Sequence, residues 1–395
     1  MPTSRIADRA PIALLAIGQT FAWAGLYYLF AALFLTWEGD LGWTKPQLTL
    51  ALTLAVLASA LAAPIAGRLI EAGKGPLLLG LSTALGGMLV ALLPTAGRLM
   101  EFYLFWVLIG LCQAGALYEP CFALVSRARG TGARGAITTI TLVAGLASTF
   151  AFAGGAALTA LHDWRFAAWC FALVTCLVAA PASYIGARMV EARSIPTAAT
   201  PDKAATIREA PRRKRTIGLL ALAFPMIALN HGILLTHLLP LLDDRAIAPA
   251  TAILAASLIG PMQVAGRLAM TLFAANTASL TLTLLAFAGT ASAAGILLLG
   301  HQMPTLIFVA VAVQGAAYGL ISIMKPVVVT ELLGRKGIAG VLSWLALPYL
   351  AGFAIAPFLG ALIWQVGGYD LVLVATAGFA LIGMLAIGFA ARTVA

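Results

Sequence analysis

Twelve apolar runs, each long enough to cross a bilayer, divide this chain of 395 residues. A helix needs about 20 apolar residues to traverse the hydrocarbon core. The first six runs lie at roughly 11–36, 47–70, 76–96, 102–126, 135–160 and 165–188. The second six lie at roughly 216–242, 249–274, 277–300, 304–331, 338–364 and 369–391. They are too long for barrel strands and lack alternation, so a β-barrel is excluded. Composition agrees: 62% of residues are hydrophobic and 10% charged, against about 45–50% and about 25% in soluble domains. Lipid must be the solvent for most of the chain. The first run, from Pro11, exceeds a signal-peptide core of about 7–15 residues and is expected to remain as a helix. The expected fold is an all-α membrane protein with twelve transmembrane helices.

The net charge of +10 does not point to nucleic acid, because no basic stripe is interleaved with exposed aromatics. Most Lys and Arg sit in the gaps between runs, and cytoplasmic loops are enriched in these residues. With both termini cytoplasmic, the inner face holds Arg5, Arg9, Arg68, Lys74, Arg127, Arg129, Arg134, Arg188, Arg193, Lys203, Arg208, Arg212, Arg213, Lys214, Arg215, Arg335, Lys336 and Arg392. The outer face keeps Lys45, Arg98, Arg165 and Arg245. Arg267 and Lys325 fall inside runs. The expected location is the inner membrane, with many passes and both ends inside.

The stretch 189–215 is the only long polar segment. It separates an N-terminal six-helix bundle, 1–188, from a C-terminal one, 216–395, and reads as a cytoplasmic linker near anionic headgroups. The two halves look alike. A shift of 206 places Glu119-Pro120 on Lys325-Pro326, Arg129 on Arg335, Gly154-Gly155 on Gly360-Ala361, and Asp163-Trp164 on Tyr369-Asp370. A shift of 199 places Pro64 to Leu69 on Gln263 to Leu268. Six spans separate equivalent helices, so the repeat is parallel and the bundles pseudo-symmetric.

These features resemble the major facilitator superfamily, over nearly the whole chain. The loop after the second run, Gly67-Arg-Leu-Ile-Glu71-Ala-Gly73-Lys74-Gly75, is similar to that family's Gly-x-Leu-x-Asp-Arg-x-Gly-Arg signature, with Glu71 for the usual Asp and Ala72 for the usual Arg. The resemblance implies that this loop gates the cytoplasmic side by charge pairing. Ala356-Pro357-Phe-Leu-Gly360-Ala361 resembles a Gly-Pro-x-x-Gly-Gly element. The fifth run keeps only Gly154-Gly155 of that element, which argues against a drug antiporter. His231-Gly-Ile-Leu-Leu-Thr-His237-Leu-Leu-Pro240, Gly260 to Arg267, and Gly42-Trp43-Thr-Lys45 resemble the bacterial monocarboxylate-transporter-like branch. That resemblance implies that Arg267 binds a substrate carboxylate. The branch's Asp one turn earlier is Gln263 here.

Charges in hydrocarbon cost about 2.5–3.5 kcal/mol on insertion scales, so each needs a reason. Glu119, Arg267 and Lys325 are the clear cases, and together they carry a net positive charge. Such a central cavity attracts an anion, and an Arg fork matches a carboxylate. Arg267 is therefore a substrate anchor or, alternatively, a cation snorkelling to the interface. Glu119 and Lys325 are a gating ion pair or groups for proton and substrate. Glu71 is a gating candidate. His231, beside Asn230, is a proton carrier or a buried, hydrogen-bonded residue. Lys325, Asn230, Tyr27 and Tyr28 complete the candidate substrate-binding set. Adjacent helical residues diverge by about 100°, so at most one of the two tyrosines is expected to face a cavity squarely. Gln113, Tyr118, Gln314, Tyr318 and His237 are lesser candidates.

The four cysteines lie inside apolar runs without CxxC spacing, as buried hydrophobes do. Neither a metal nor a cofactor is expected. GxSxG, HExxH and phosphate-loop motifs are missing, so neither an enzyme nor an ATP-driven pump is expected. The reading is a monomeric secondary transporter of a small organic anion, a monocarboxylate by resemblance, working by alternating access with proton coupling. Exchange of one anion for another stays open. Proton-driven efflux of a drug or toxic compound is the alternative, and a non-transporting receptor is a third.

Overall fold

The computed structural model describes residues 3–130, 133–192, 211–273, 277–300, 303–334 and 338–393. Most of the linker, with Arg193, Lys203 and Arg208, lies outside them, as do Arg335 and Lys336. The described residues are helical, with short turns. The spanning helices are α1 Arg9–Leu41, α2 Lys45–Glu71, α3 Gly75–Thr95, α4 Leu99–Arg129, α5 Gly135–Leu161 and α6 Trp164–Glu191. They continue as α7 Arg212–Asp244, α8 Pro249–Phe273, α9 Ser279–Leu299 and α10 Thr305–Leu333. One last helical stretch is interrupted by the non-helical Gly367 and Gly368. It is therefore two spans, α11 over 340–366 and α12 over 369–392. Twelve crossings result.

Helix starts follow local chemistry. Thr44 and Gln47 form a reciprocal capping box at α2, with the Thr44 amide donating to Gln47 Oε1 at 2.9 Å. Asp163 caps α6 by accepting from the Phe166 amide at 2.8 Å. Inside the spans, hydroxyls return to their own helix. Thr83 donates to the Leu79 carbonyl and Thr175 to that of Phe171, both at 2.7 Å. Lipid offers no other partner, so this pairing is obligatory. Large apolar side chains such as Leu61, Phe273 and Val366 are left exposed, as lipid-facing residues must be.

The chain forms two compact units, 1–198 and 199–395. In the first, α4 packs on α2 and α3, and α1 packs on α5 and α6. In the second, α10 packs on α8 and α9, and α7 packs on the α11–α12 stretch. The same pairings thus recur six helices later, as the repeat predicts. The α8–α10 contact is backbone on backbone. A Cβ at Gly266 would meet the backbone of Ala316, and one at Gly319 would lie 2.9 Å from Gln263 Cα. Only glycine permits that approach.

A tie joins the first and last helix of each unit, with its charges exchanged. In the first unit Asp40, near the end of α1, accepts from Arg165 at 2.9 Å and from Trp164 Nε1 at 2.6 Å, both near the start of α6. In the second, Arg245, just beyond α7, donates to Asp370 near the start of α12 at 2.7 Å and to the Leu297 carbonyl. The aligned segments of the repeat thus hold the same position with opposite polarity.

Candidate functional site

In the first unit the intramembrane polar groups gather where helices are irregular. In α1, Ala24–Tyr28 forms a π-helical turn, a feature frequent at functional sites. Its i→i+5 geometry draws both tyrosines onto one ring. Trp23 lies 5.3 Å from Tyr27 and 6.1 Å from Tyr28, ring centre to ring centre. Tyr27 is buried and Tyr28 half-buried. Gly25 sits against Thr175, the first residue of a second π turn in α6.

Helix α4 breaks at Leu117, whose backbone is extended at φ −87° and ψ −159°. The break falls before Pro120, whereas α10 runs through Pro326 unbroken. A proline inside a helix can bend it, yet the matched prolines accompany different backbones. Tyr118 opens the second half-helix and stacks on Phe122, with ring centres 4.8 Å apart, and lies 4.8 Å from Trp23. Glu119 falls in that half-helix's first turn and is exposed. Its charge there is favoured by the positive end of the helix dipole. Two glutamines collect backbone carbonyls at the irregular segments. Gln19 donates to the Ala116 carbonyl at 2.8 Å, and Gln113 donates to the Leu26 carbonyl at 2.7 Å.

In the second unit a polar chain crosses from α12 to α10. Asn230 is 0% exposed and donates to the Thr376 carbonyl of α12 at 3.0 Å. It accepts from Gln314 Nε2 at 3.0 Å, and that nitrogen lies 3.4 Å from His231 Nδ1. The His231 ring stacks on Tyr318, centres 3.4 Å apart and planes 9° off parallel. The Tyr318 and Tyr349 hydroxyls are 2.7 Å apart, and the Lys325 ammonium stands 3.7 Å from the Tyr349 ring centre. Arg267 is half-buried and donates through Nε to the Gly319 carbonyl at 3.3 Å. Gln263, at the position of the missing acid, is buried.

The structure thus places Asn230, His231 and Lys325 in one network, holds Arg267 on the backbone of the same helix α10, and groups Tyr27 with Tyr28 and Trp23. Glu71 is exposed at the end of α2. The charged contact recorded beside that turn belongs to Arg127, which pairs with Glu191 at 3.6 Å and donates to the Ile70 carbonyl. His237 ties α7 to α11 through the Pro357 carbonyl at 2.8 Å, packed against Gly360. Sequence reasoning missed Gln19, Trp23, Tyr349 and Thr376. A glutamine inside the first apolar run was the available signal for the first of these.

The solved structures similar to this chain include a bacterial homologue of the human lysosomal transporter Spinster, captured facing inward and unoccupied. It shares 15% identity over 98% of each chain, with a TM-score of 0.69. The same kind of protein in an inward-facing, occupied state shares 16% identity over 99% of this chain and 97% of the other, with a TM-score of 0.67. At such identities the likeness shows the fold. No curated protein matches the sequence. The family model for the Major Facilitator Superfamily matches residues 15–293. With twelve apolar helices built on a parallel repeat and polar groups buried within both units, the chain belongs to the major facilitator superfamily and is a multi-pass membrane transporter.

Proposed function

We propose that this transporter carries small organic anions, monocarboxylates in particular, across the bacterial inner membrane by alternating access coupled to protons. The observation that carries this reading is the charge inside the second unit. Arg267 and Lys325 lie within its spans, while its acids among the described residues, Asp243, Asp244, Glu331 and Asp370, stand near helix ends. A positive interior in low dielectric attracts an anion. The Gly319 carbonyl that accepts from Arg267 Nε is a neutral group.

In this reading Arg267 anchors the carboxylate, with Lys325, Asn230, Tyr27 and Tyr28 as further contacts. His231, Lys325 and Glu119 carry or sense the proton. Glu71 serves the gate at the end of α2. The chain works as a monomer with both ends in the cytoplasm, an orientation that rests on its basic loops. Efflux of a cationic drug is the competing reading, supported by the exposed Glu119.

Ligand-induced thermal stabilisation of the purified protein tests the choice. A ligand at a hundredfold excess over its Kd adds about 2.7 kcal/mol to stability. Small carboxylates should raise the melting temperature and cationic lipophilic drugs should not. The opposite pattern would replace the anion reading with efflux.

A further inference from the structure

The direction of each hydrogen bond around His231 can be deduced from one group that only accepts. The Thr376 carbonyl has no proton to give, so Asn230 must turn its NH2 toward it, at 3.0 Å. That orients Asn230 Oδ1 toward Gln314, which must answer with Nε2–H, at 3.0 Å. The same Nε2 lies 3.4 Å from His231 Nδ1. Facing a donor, Nδ1 is the acceptor, and the neutral ring carries its proton on Nε2. The other end of the Gln314 amide is unmet: Oε1 is buried with no hydrogen-bond partner.

We propose that Gln314 reads the protonation of His231. A proton on Nδ1 turns that atom into a donor facing the N–H of Gln314. The stacked Tyr318 ring at 3.4 Å restrains the imidazole from tilting away, and an aromatic face favours the cation. The cavity bounded by His231, Gln314, Leu234, Ile259 and Val311 is otherwise apolar, so it supplies no second acceptor. Gln314 therefore rotates its amide and brings the unmet Oε1 to the new N–H. The rotation sets that oxygen against Asn230 Oδ1. Asn230 must then part from Gln314, or turn and give up the Thr376 carbonyl. One proton thus breaks the α7–α10 tie or the α7–α12 tie, and converts a side-chain charge into helix movement.

The charged and titratable groups around the ring fit this role. On α10 they are Tyr318 and Lys325, on α11 Tyr349, and on α8 Arg267, held to Gly319 beside Tyr318. A cationic His231 adds a positive charge to the two, Arg267 and Lys325, that lie within the spans of this unit, so proton and anion each favour the other's arrival. This inference rests on the proton-coupled reading above, and Gln314 is a positioning residue within it.

Solid-state NMR of 15N-histidine-labelled protein in lipid bilayers tests it, with the His231 signal assigned by its loss in His231→Gln. At alkaline pH the wild type should show a neutral ring with its proton on Nε2. Gln314→Glu, which offers only acceptors once its carboxyl is ionised, should move the proton to Nδ1 or give the imidazolium at the same pH. Gln314→Leu should lose the pH dependence of transport that the wild type shows. A neutral wild-type ring protonated on Nδ1 would overturn the proposal, whatever the substrate proves to be. An unchanged tautomer in Gln314→Glu would overturn it as well. A correct tautomer without proton-driven flux would instead sink the coupling reading and leave the hydrogen-bond assignment standing.

Discussion

Replacing Arg267 by Gln removes one positive charge from the interior of the second unit and keeps most of the side chain's length. The structure sets the size of the effect. The Nε contact to the Gly319 carbonyl, at 3.3 Å, is long and goes to a neutral acceptor. Loss of that one contact costs about 0.5–1.5 kcal/mol, as for an ordinary hydrogen bond. The folded transporter should survive. A substrate carboxylate loses a charge-assisted hydrogen bond worth about 1.5–3 kcal/mol, which corresponds to about a 10- to 150-fold rise in KM. Arg267→Lys keeps the charge but not the planar fork, so it should fall between the two. The assay is initial-rate uptake of labelled carboxylates into vesicles, with the amount of folded protein checked by size-exclusion chromatography. An Arg267→Gln variant that transports within twofold of the wild type would refute the reasoning. So would an equal loss in Arg267→Lys and Arg267→Gln, which would make shape rather than charge the determinant.

Other expectations follow from single contacts. Gly360→Val places a Cβ 2.8 Å from His237 Cδ2, so thermal unfolding should report a loss of about 1–3 kcal/mol from overpacking. Asp40→Arg or Arg165→Asp alone should lower the melting temperature. The double exchange should recover part of the loss, because the second unit already uses that polarity in Arg245 and Asp370. Lys325→Met removes a cation standing 3.7 Å from the Tyr349 ring centre, worth about 0.5–2 kcal/mol. It should weaken anion affinity in the same uptake assay, whereas Lys325→Arg should retain it.

The spans were readable because lipid leaves a simple rule: about twenty apolar residues per crossing. Boundaries such as 76–96 against Gly75–Thr95 differ by one residue at each end. The charges within the spans were readable for the same reason, since an Arg or Lys in hydrocarbon is conspicuous. What those residues touch was not. Gln314 is one amide among many apolar neighbours, and its partners depend on helix rotation and register. The π turn of α1 was equally hidden, because an i→i+5 bond leaves no mark in the pattern of hydrophobicity, yet it places Tyr27 and Tyr28 beside Trp23. Charge pairing at the α2–α3 turn was expected to involve Glu71. The pair recorded beside that turn is Arg127 and Glu191, which meet because α4 and α6 end side by side. The shift of 206 aligned Asp163-Trp164 with Tyr369-Asp370, but the charge-exchanged ties to Asp40 and Arg245 needed three dimensions.

The central claim is that this transporter moves small organic anions with protons. The most direct measurement is flux in proteoliposomes holding the purified protein, with a panel of small carboxylates and a panel of cationic lipophilic drugs, each with and without an imposed pH gradient. Saturable carboxylate flux that a proton gradient accelerates is the predicted result. Drug-dependent proton movement without carboxylate flux would contradict it and make Glu119, rather than Arg267, the residue on which transport turns.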